Sequence, residues 1–194
     1  VAILMTNPDF GLVHSPCQII DEEGQLKDRI IGRPGAQNVK HGNVSDRMMG
    51  NWTLMMPTVL ARKSLVDKVG FFNEKMPAAG EDLEYWVRCS FYTCFYYQDE
   101  PLIFYRKHPQ NISGSNKNYV QLPVHLSDVL DAEFKKGSID KRTKKKLTLN
   151  LVFMQLKMVR KNFFKTLINL NMIFPFWFFN LRALKFFFKK IMYA

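Results

Sequence analysis

The chain has 194 residues, 47% of them apolar and 23% charged, which is typical of a globular protein with a sizeable core. Three cysteines without a CxxC pair argue against a secreted disulfide scaffold and indicate reduced, buried thiols. The net charge of +11 is uneven, because residues 141–194 carry thirteen Lys and Arg and no Asp or Glu. Residues 1–140, with fifteen basic and seventeen acidic side chains, are therefore close to neutral.

The first third of the chain predicts strands and one short helix. The apolar run FGLVHSPCQII (10–20) predicts a strand, the turn sequence DEEG follows, and QLKDRII (25–31) predicts a second strand. Further on, Ser64 is the predicted N-cap of a helix that ends at Gly70.

Helices and strands continue to alternate after that point. A helix is predicted from Glu81 to Tyr92, then strands at 94–98 and 102–107, then helices over 118–136 and 141–165. Short strands alternating with helices predict an α/β fold.

The sequence GEDLEYWVRC (80–89) places two acidic residues, Glu81 and Asp82, at the start of a predicted helix. Acidic residues in a first helical turn are favoured by the helix dipole, and Glu84 with Arg88 forms an i,i+4 pair predicted on the solvated face. A carboxylate among helix N-terminal N–H groups also stays ionised, and an ionised, positioned Asp can act as a general base. Residue types alone leave both interpretations open.

The order of three segments resembles family-2 glycosyltransferases of the GT-A fold. These segments are ILMTNPDFGLVHSPCQIIDEEG (3–24), PTVLARKSLVDKVGFFNEKMPAAGEDLEYWVR (57–88) and LIFYRKHPQNIS (102–113). The resemblance covers about residues 1–113 and implies a Rossmann-like α/β domain. It also implies an inverting transfer of a sugar from a nucleotide-sugar donor to an acceptor hydroxyl, with Asp82 as the base and Glu81 shaping the acceptor or sugar pocket.

The resemblance implies further contacts with the donor. His108 matches the position of a histidine that contacts a divalent metal, Mn²⁺ or Mg²⁺, or the diphosphate. Arg106 adds positive charge near the leaving phosphate. Asn51 and Thr58 match residues that line the substrate pocket.

Two family features are absent from the sequence. It contains no Asp-x-Asp motif of the nucleotide-binding half, so we expect the chain to be the C-terminal part of a longer catalytic domain and to be inactive alone. It also lacks the Q-x-x-R-W signature of processive members, which favours transfer of a single sugar.

We expect three regions: residues 1–115 as the catalytic half, 116–140 as a helical connection, and 141–194 as a basic, aromatic helical tail. The longest uncharged stretch of the tail, Thr166–Leu181, has sixteen residues and is too short to span a bilayer. Its Lys, Arg, Phe and Trp residues favour binding at an anionic membrane surface, which predicts a cytoplasmic protein, peripheral at the inner face of the cell membrane, with a saccharide or lipid-linked acceptor.

Alternatives to these predictions remain. The tail could instead be a helical subdomain whose basic residues are merely solvated. Nucleic acid is not an expected partner, since no recognisable motif supports it. The rival function is a non-catalytic, membrane-peripheral binding module in which the acidic pair only caps a helix.

Overall fold

The computed structural model describes residues 1–33, 39–49, 54–76, 80–111 and 118–192, which divide into two compact units. The first unit comprises residues 1–33, 39–48, 54–75 and 81–111 and combines two three-stranded sheets with short helices. The second comprises residues 118–192, with Met49, Met76 and Gly80, and its regular structure is helical. The fold is therefore mixed α/β, as the sequence predicts.

Each of the two sheets contains one parallel and one antiparallel strand pair around a central strand. The strands are β1 (Phe10–His14), β2 (Cys17–Ile20), β3 (Leu26–Ile31), β4 (Leu60–Ala61), β5 (Cys94–Tyr97) and β6 (Ile103–Arg106). One sheet has the order β4-β1-β5 and the other β3-β2-β6. In each sheet the pair β1–β5 or β2–β6 is parallel, and β4 or β3 is added antiparallel.

The predicted single strand over residues 10–20 is wrong, because the chain leaves one sheet and enters the other at Ser15–Pro16. Proline has no backbone N–H, so Pro16 cannot continue a hydrogen-bonded ladder. The N–H of Ser15 is satisfied outside the ladder, donating to the Thr58 hydroxyl at 3.1 Å. Local chemistry at two residues thus divides the apolar run between two sheets.

The described part of the first unit contains four helices. The start of α3 and the end of α4 differ from the sequence prediction. The helices are α1 (Ala2–Thr6), α2 (Ser45–Met48), α3 (Lys63–Val69) and α4 (Glu81–Ser90). Helix α3 starts one residue before the predicted cap Ser64, with Arg62 at the N-cap position. The Arg62 guanidinium donates to the carbonyls of Phe10 and Leu4, so its contacts to α1 and β1 hold the start of α3 in place. The helix ends at Gly70 as predicted, with φ at 86°.

Helix α4 ends at Ser90, two residues before the predicted end. It buries Trp86 and Val87, as the apolar spacing predicts, and both α2 and α3 contact it. Fully buried side chains of β1 and β5, Leu12 and Phe95, form part of the same unit's core.

The second unit contains α5 (Leu122–Lys135), α6 (Lys141–Leu156), α7 (Phe163–Ile173) and α8 (Leu181–Met192). A 3₁₀ turn, Asn118–Gln121, precedes α5, and another, Trp177–Phe179, lies between α7 and α8. Helix α6 contacts α5, α7 and α8, so the predicted connection and tail share one core. The largest fully buried side chains of α5, α6 and α7 are leucines: Leu122, Leu126, Leu130, Leu147, Leu151, Leu156 and Leu170.

The single helix predicted over 141–165 is interrupted between Leu156 and Phe163. A straight helix rises about 1.5 Å per residue, so it would carry Leu170 and Ile173 away from Leu147 and Leu151. The turn instead lets both apolar faces enter one core, where all four side chains are buried. Within the described residues, no helix is both long enough and apolar enough to cross a membrane.

Candidate functional site

Asp82 lies in the first turn of α4 and is half-buried. Its Oδ1 accepts a hydrogen bond of 2.7 Å from the backbone N–H of Leu83. In the part of the chain that the structure describes, no Lys, Arg or His forms an ion pair with this carboxylate. The negative charge is therefore held by helix N–H groups and not by a cation.

Burial raises the pKa of the Asp82 carboxyl, and the nearby charge of Glu81 raises it further. The hydrogen bond from Leu83 acts in the opposite direction but does not reverse the shift. The N–H contacts favour the ionised form, as expected, but removal of water has the larger effect, so the net shift of the pKa is upward. A carboxylate with a raised pKa is a stronger base than an exposed one.

Glu84 and Arg88, predicted on a solvated face, form a buried ion pair instead. Glu84 is only 3% exposed, and its Oε1 accepts from Arg88 Nε at 2.8 Å. The same guanidinium donates to the carbonyls of Val69 and Phe71 at the end of α3. This pair joins α3 to α4 and thereby supports the helix that carries Asp82.

The Thr58 hydroxyl, a predicted substrate contact, bonds within the fold. Its Oγ1 accepts from Ser15 N at 3.1 Å and donates to the carbonyl of Met55 at 2.7 Å. A hydroxyl has one proton to donate, so the donor of Thr58 is already used. The other predicted pocket residue, Asn51, lies outside the described residues.

Arg106 and His108 lie at and just after the end of β6. Arg106 Nη1 donates to the carbonyls of Asp21 and Glu22, between β2 and β3. The backbone N–H of His108 donates to Asn111 Oδ1, and its Nδ1 is 3.2 Å from Gln110 Oε1. Its Nε2 has no hydrogen-bond partner among the described residues.

The predicted site residues are not joined to one another. Across the described ranges, no hydrogen bond or ion pair connects Asp82 with Thr58, Arg106 or His108. Those ranges also contain no group of three or more His, Cys, Asp or Glu side chains that could hold a metal ion. The donors present there do not complete a Mn²⁺ or Mg²⁺ site around His108.

A buried polar group in the first unit is not evident from the sequence. His14 on β1 is 1% exposed, and its Nε2 is 3.0 Å from the carbonyl oxygen of Lys40. Burial lowers the pKa of His14 to about 4, with smaller contributions from the charges of Lys40 and His41. Lys40 is also buried and donates through Nζ to the carbonyl of Gly32 at 2.7 Å. A lone His in an apolar strand carries no sequence signal that distinguishes it from a surface residue.

The second unit has an open cleft of about 760 Å³. Lys141, Lys144 and Lys145 from the first turns of α6 line it, opposite Phe176 and Phe179 from the segment between α7 and α8. The basic and aromatic composition of the tail indicated these residue types, but it did not indicate that the helix start and the later aromatic segment would meet.

Comparison of the chain with protein-family models, with curated proteins and with solved structures gives no match.

Proposed function

We propose that the chain contributes the acceptor-side part of a family-2, GT-A-type inverting glycosyltransferase. The proposed reaction moves a sugar from a nucleotide-sugar donor to a hydroxyl of a saccharide or lipid-linked acceptor, in cell-surface polysaccharide or glycolipid synthesis. Support comes from the order of the three sequence segments, from the mixed α/β fold of the first unit, and from the environment of Asp82.

The observation that carries the proposal is the half-buried Asp82 carboxylate without a cationic partner in the described ranges. Helix capping does not require partial burial, since exposed carboxylates also interact favourably with the helix dipole. Partial removal of Asp82 from water raises its proton affinity, which is the property that a general base requires.

The proposed step is a single in-line displacement. Asp82 takes the proton of the acceptor hydroxyl while its oxygen forms a bond to the anomeric carbon. The bond between that carbon and the diphosphate oxygen breaks on the opposite face, so the configuration inverts. Positive charge develops on the sugar ring in the transition state, as in glycoside hydrolysis. Glu81, Asn51 and Thr58 are the proposed substrate contacts, and Arg106 the proposed diphosphate contact.

Histidine 108 is proposed as a ligand of a divalent metal shared with residues outside the described ranges. Bound Mn²⁺ or Mg²⁺ would neutralise the charge of the leaving diphosphate. One imidazole does not hold such an ion alone, so further ligands would have to complete the site.

The test is a transfer assay on the protein as its gene encodes it, including any sequence that flanks these 194 residues. Nucleotide release from nucleotide sugars is measured in the presence of saccharide acceptors for wild type, Asp82→Asn and the control Asp67→Asn. We expect Asp82→Asn to lose at least about 100-fold in kcat, since general bases contribute about 10²–10⁴-fold. Asp67, an exposed carboxylate on α3, should be dispensable.

The second candidate is a non-catalytic, membrane-peripheral binding module. The lysines and exposed aromatic side chains of the second unit favour it. Equal turnover by wild type and Asp82→Asn, or no turnover by either with any nucleotide sugar, would favour this candidate over the transferase.

A further inference from the structure

The second unit has two adjoining clefts that share their lining. The cleft of about 760 Å³ and a neighbouring one of about 550 Å³ both contact Leu149, Phe179 and Asn180. Together they bring the start of α6 next to the segment that connects α7 with α8. We define the lysine–aromatic surface by the six residues at this junction: Lys141, Lys145, Lys146, Phe176, Phe179 and Leu181.

The lysines of this surface lie at the N-terminal end of α6, where positive charge is unfavourable. Five of the first six residues of α6, KRTKKK (141–146), are basic, and that turn contains no acidic residue. Positive charge at a helix N-terminus is unfavourable with respect to the helix dipole. Asp140 caps the helix by accepting from Thr143 N. Anionic groups bound at the lysines would offset the repulsion that remains.

The larger cleft still carries positive charge after the ion pair among its lining residues is counted. Asp131 is the acidic residue that lines the larger cleft, and its carboxylate is 2.5 Å from Lys144 Nζ. Lys141 and Lys145 are exposed and have no ion-pair partner within residues 118–192. These two side chains can bind an external anion.

The apolar side is exposed to an unusual degree. Phe176, Phe179 and Leu181 are 62%, 74% and 71% exposed, and Met172 beside them is 63% exposed. Contiguous exposed apolar area of this kind marks an interaction surface.

The apolar area continues along both neighbouring helices. On α7, Phe164, Ile168 and Met172 are exposed at i, i+4 and i+8, while Leu170 and Ile173 are buried. One outer face of that helix is thus apolar along its whole length.

On α8, Leu181, Phe188 and Met192 form an exposed apolar stripe, and at 100° per residue Lys185 and Lys189 lie beside it. An exposed apolar stripe flanked by lysines is typical of a helix that lies in a membrane interface.

Charge and side-chain type select among the possible occupants. A second copy of the chain would bring lysines against lysines. Single-stranded nucleic acid would supply phosphates and bases to stack on Phe176 and Phe179, but it offers no hydrocarbon phase to the exposed aliphatic side chains Leu181, Met172 and Ile168. A bilayer with anionic lipids supplies both phosphates for the lysines and hydrocarbon for the aliphatic and aromatic side chains.

We propose that the lysine–aromatic surface binds an anionic lipid bilayer, with lipid phosphates at Lys141 and Lys145 and with Phe176 and Phe179 inserted at the acyl boundary. The inference goes beyond sugar transfer and does not depend on it, because none of these residues belongs to the first unit. Binding to an anionic bilayer thus explains both the basic start of α6 and the exposed phenylalanines.

The test is co-sedimentation of the full chain with vesicles of phosphatidylcholine, alone or mixed with phosphatidylglycerol. We expect binding to the mixed vesicles only. Lys141→Gln/Lys145→Gln should weaken it about thirtyfold, because each basic residue at such a surface contributes about a fivefold effect. The matched control Arg160→Gln/Lys161→Gln removes equal charge elsewhere in the unit and should change binding by less than about threefold.

A second pair of variants tests the insertion. Phe176→Ala/Phe179→Ala should lose about tenfold or more, whereas the exposed Phe71→Ala of the first unit should not. Because all substituted side chains are exposed, circular dichroism should show unchanged helicity in every variant.

Three outcomes would overturn the proposal. The first is vesicle binding that the lysine or phenylalanine pairs do not weaken more than their controls. The second is competition by soluble pyrophosphate at concentrations comparable to the lipid, which would make this a site for free phosphate groups. The third is single-stranded RNA binding that depends on Lys141 and Lys145 while vesicle binding does not.

Discussion

Protonation of His14 should destabilise the first unit in mildly acidic solution. The ring is almost fully buried on β1 between Phe95 and Tyr97, with ring centroids 6.3 and 5.3 Å away. Its environment disfavours the charged form, and its pKa falls from 6.5 to about 4. The unfolded chain therefore binds a proton at a pH where the folded chain does not.

The direction and size of the effect follow from this difference. The contribution of the neutral ring is complete above pH 6.5, decreases as the pH falls, and is lost at about pH 4. One pKa unit corresponds to about 1.4 kcal/mol, so His14 should remove about 3 kcal/mol from the free energy of unfolding across that window.

The assay is urea unfolding at several pH values between about 7 and 4, followed through the amide signals of β1 and β5. His14→Gln keeps a donor near the carbonyl of Lys40 but cannot be protonated in this range. The difference in unfolding free energy between wild type and variant should change by about 3 kcal/mol over the window. A difference that stays constant with pH would refute the reasoning.

Two further predictions concern the support of the candidate site. Glu84→Gln should lower the free energy of unfolding by about 3 kcal/mol, because it leaves the largely buried charge of Arg88 without its carboxylate. The exposed pair Lys63–Asp67 provides the control, and Asp67→Asn should cost less than about 1 kcal/mol; equal effects in urea unfolding would contradict the account. Thr58→Val should cost about 1–3 kcal/mol in the same assay because the N–H of Ser15 loses its acceptor, and a neutral result would argue against the strand break as described.

The periodicity of the sequence predicted which elements exist but not where they are interrupted. Apolar alternation in residues 10–20 indicated β structure, yet the break depends on Pro16 and on Thr58, which lies about 40 residues further along the chain. The turn between α6 and α7 has a tertiary cause, since it is the shared core that requires Leu151 and Leu170 to be buried together. Local pattern does not contain that information.

The environment of the candidate site depended still more on tertiary structure. The sequence alone identified an acidic pair at a helix start, but it did not predict the burial that raises the pKa of Asp82. Glu84 and Arg88 have the spacing of a surface pair, but the carbonyls of Val69 and Phe71 bind Arg88 and its partner is buried. Sequence spacing identifies such partners, and packing decides whether water reaches them.

The central claim is that Asp82 removes a proton during sugar transfer, and the pH dependence of transfer in the gene-encoded protein tests it most directly. The account predicts that kcat/KM for wild type falls about tenfold per pH unit below a pKa that lies above the ordinary aspartate value. It also predicts that Asp82→Asn, folded to the same extent, is at least about 100-fold slower at neutral pH. An Asp82→Asn protein that transfers sugar at the wild-type rate, with the same pH profile, would contradict it.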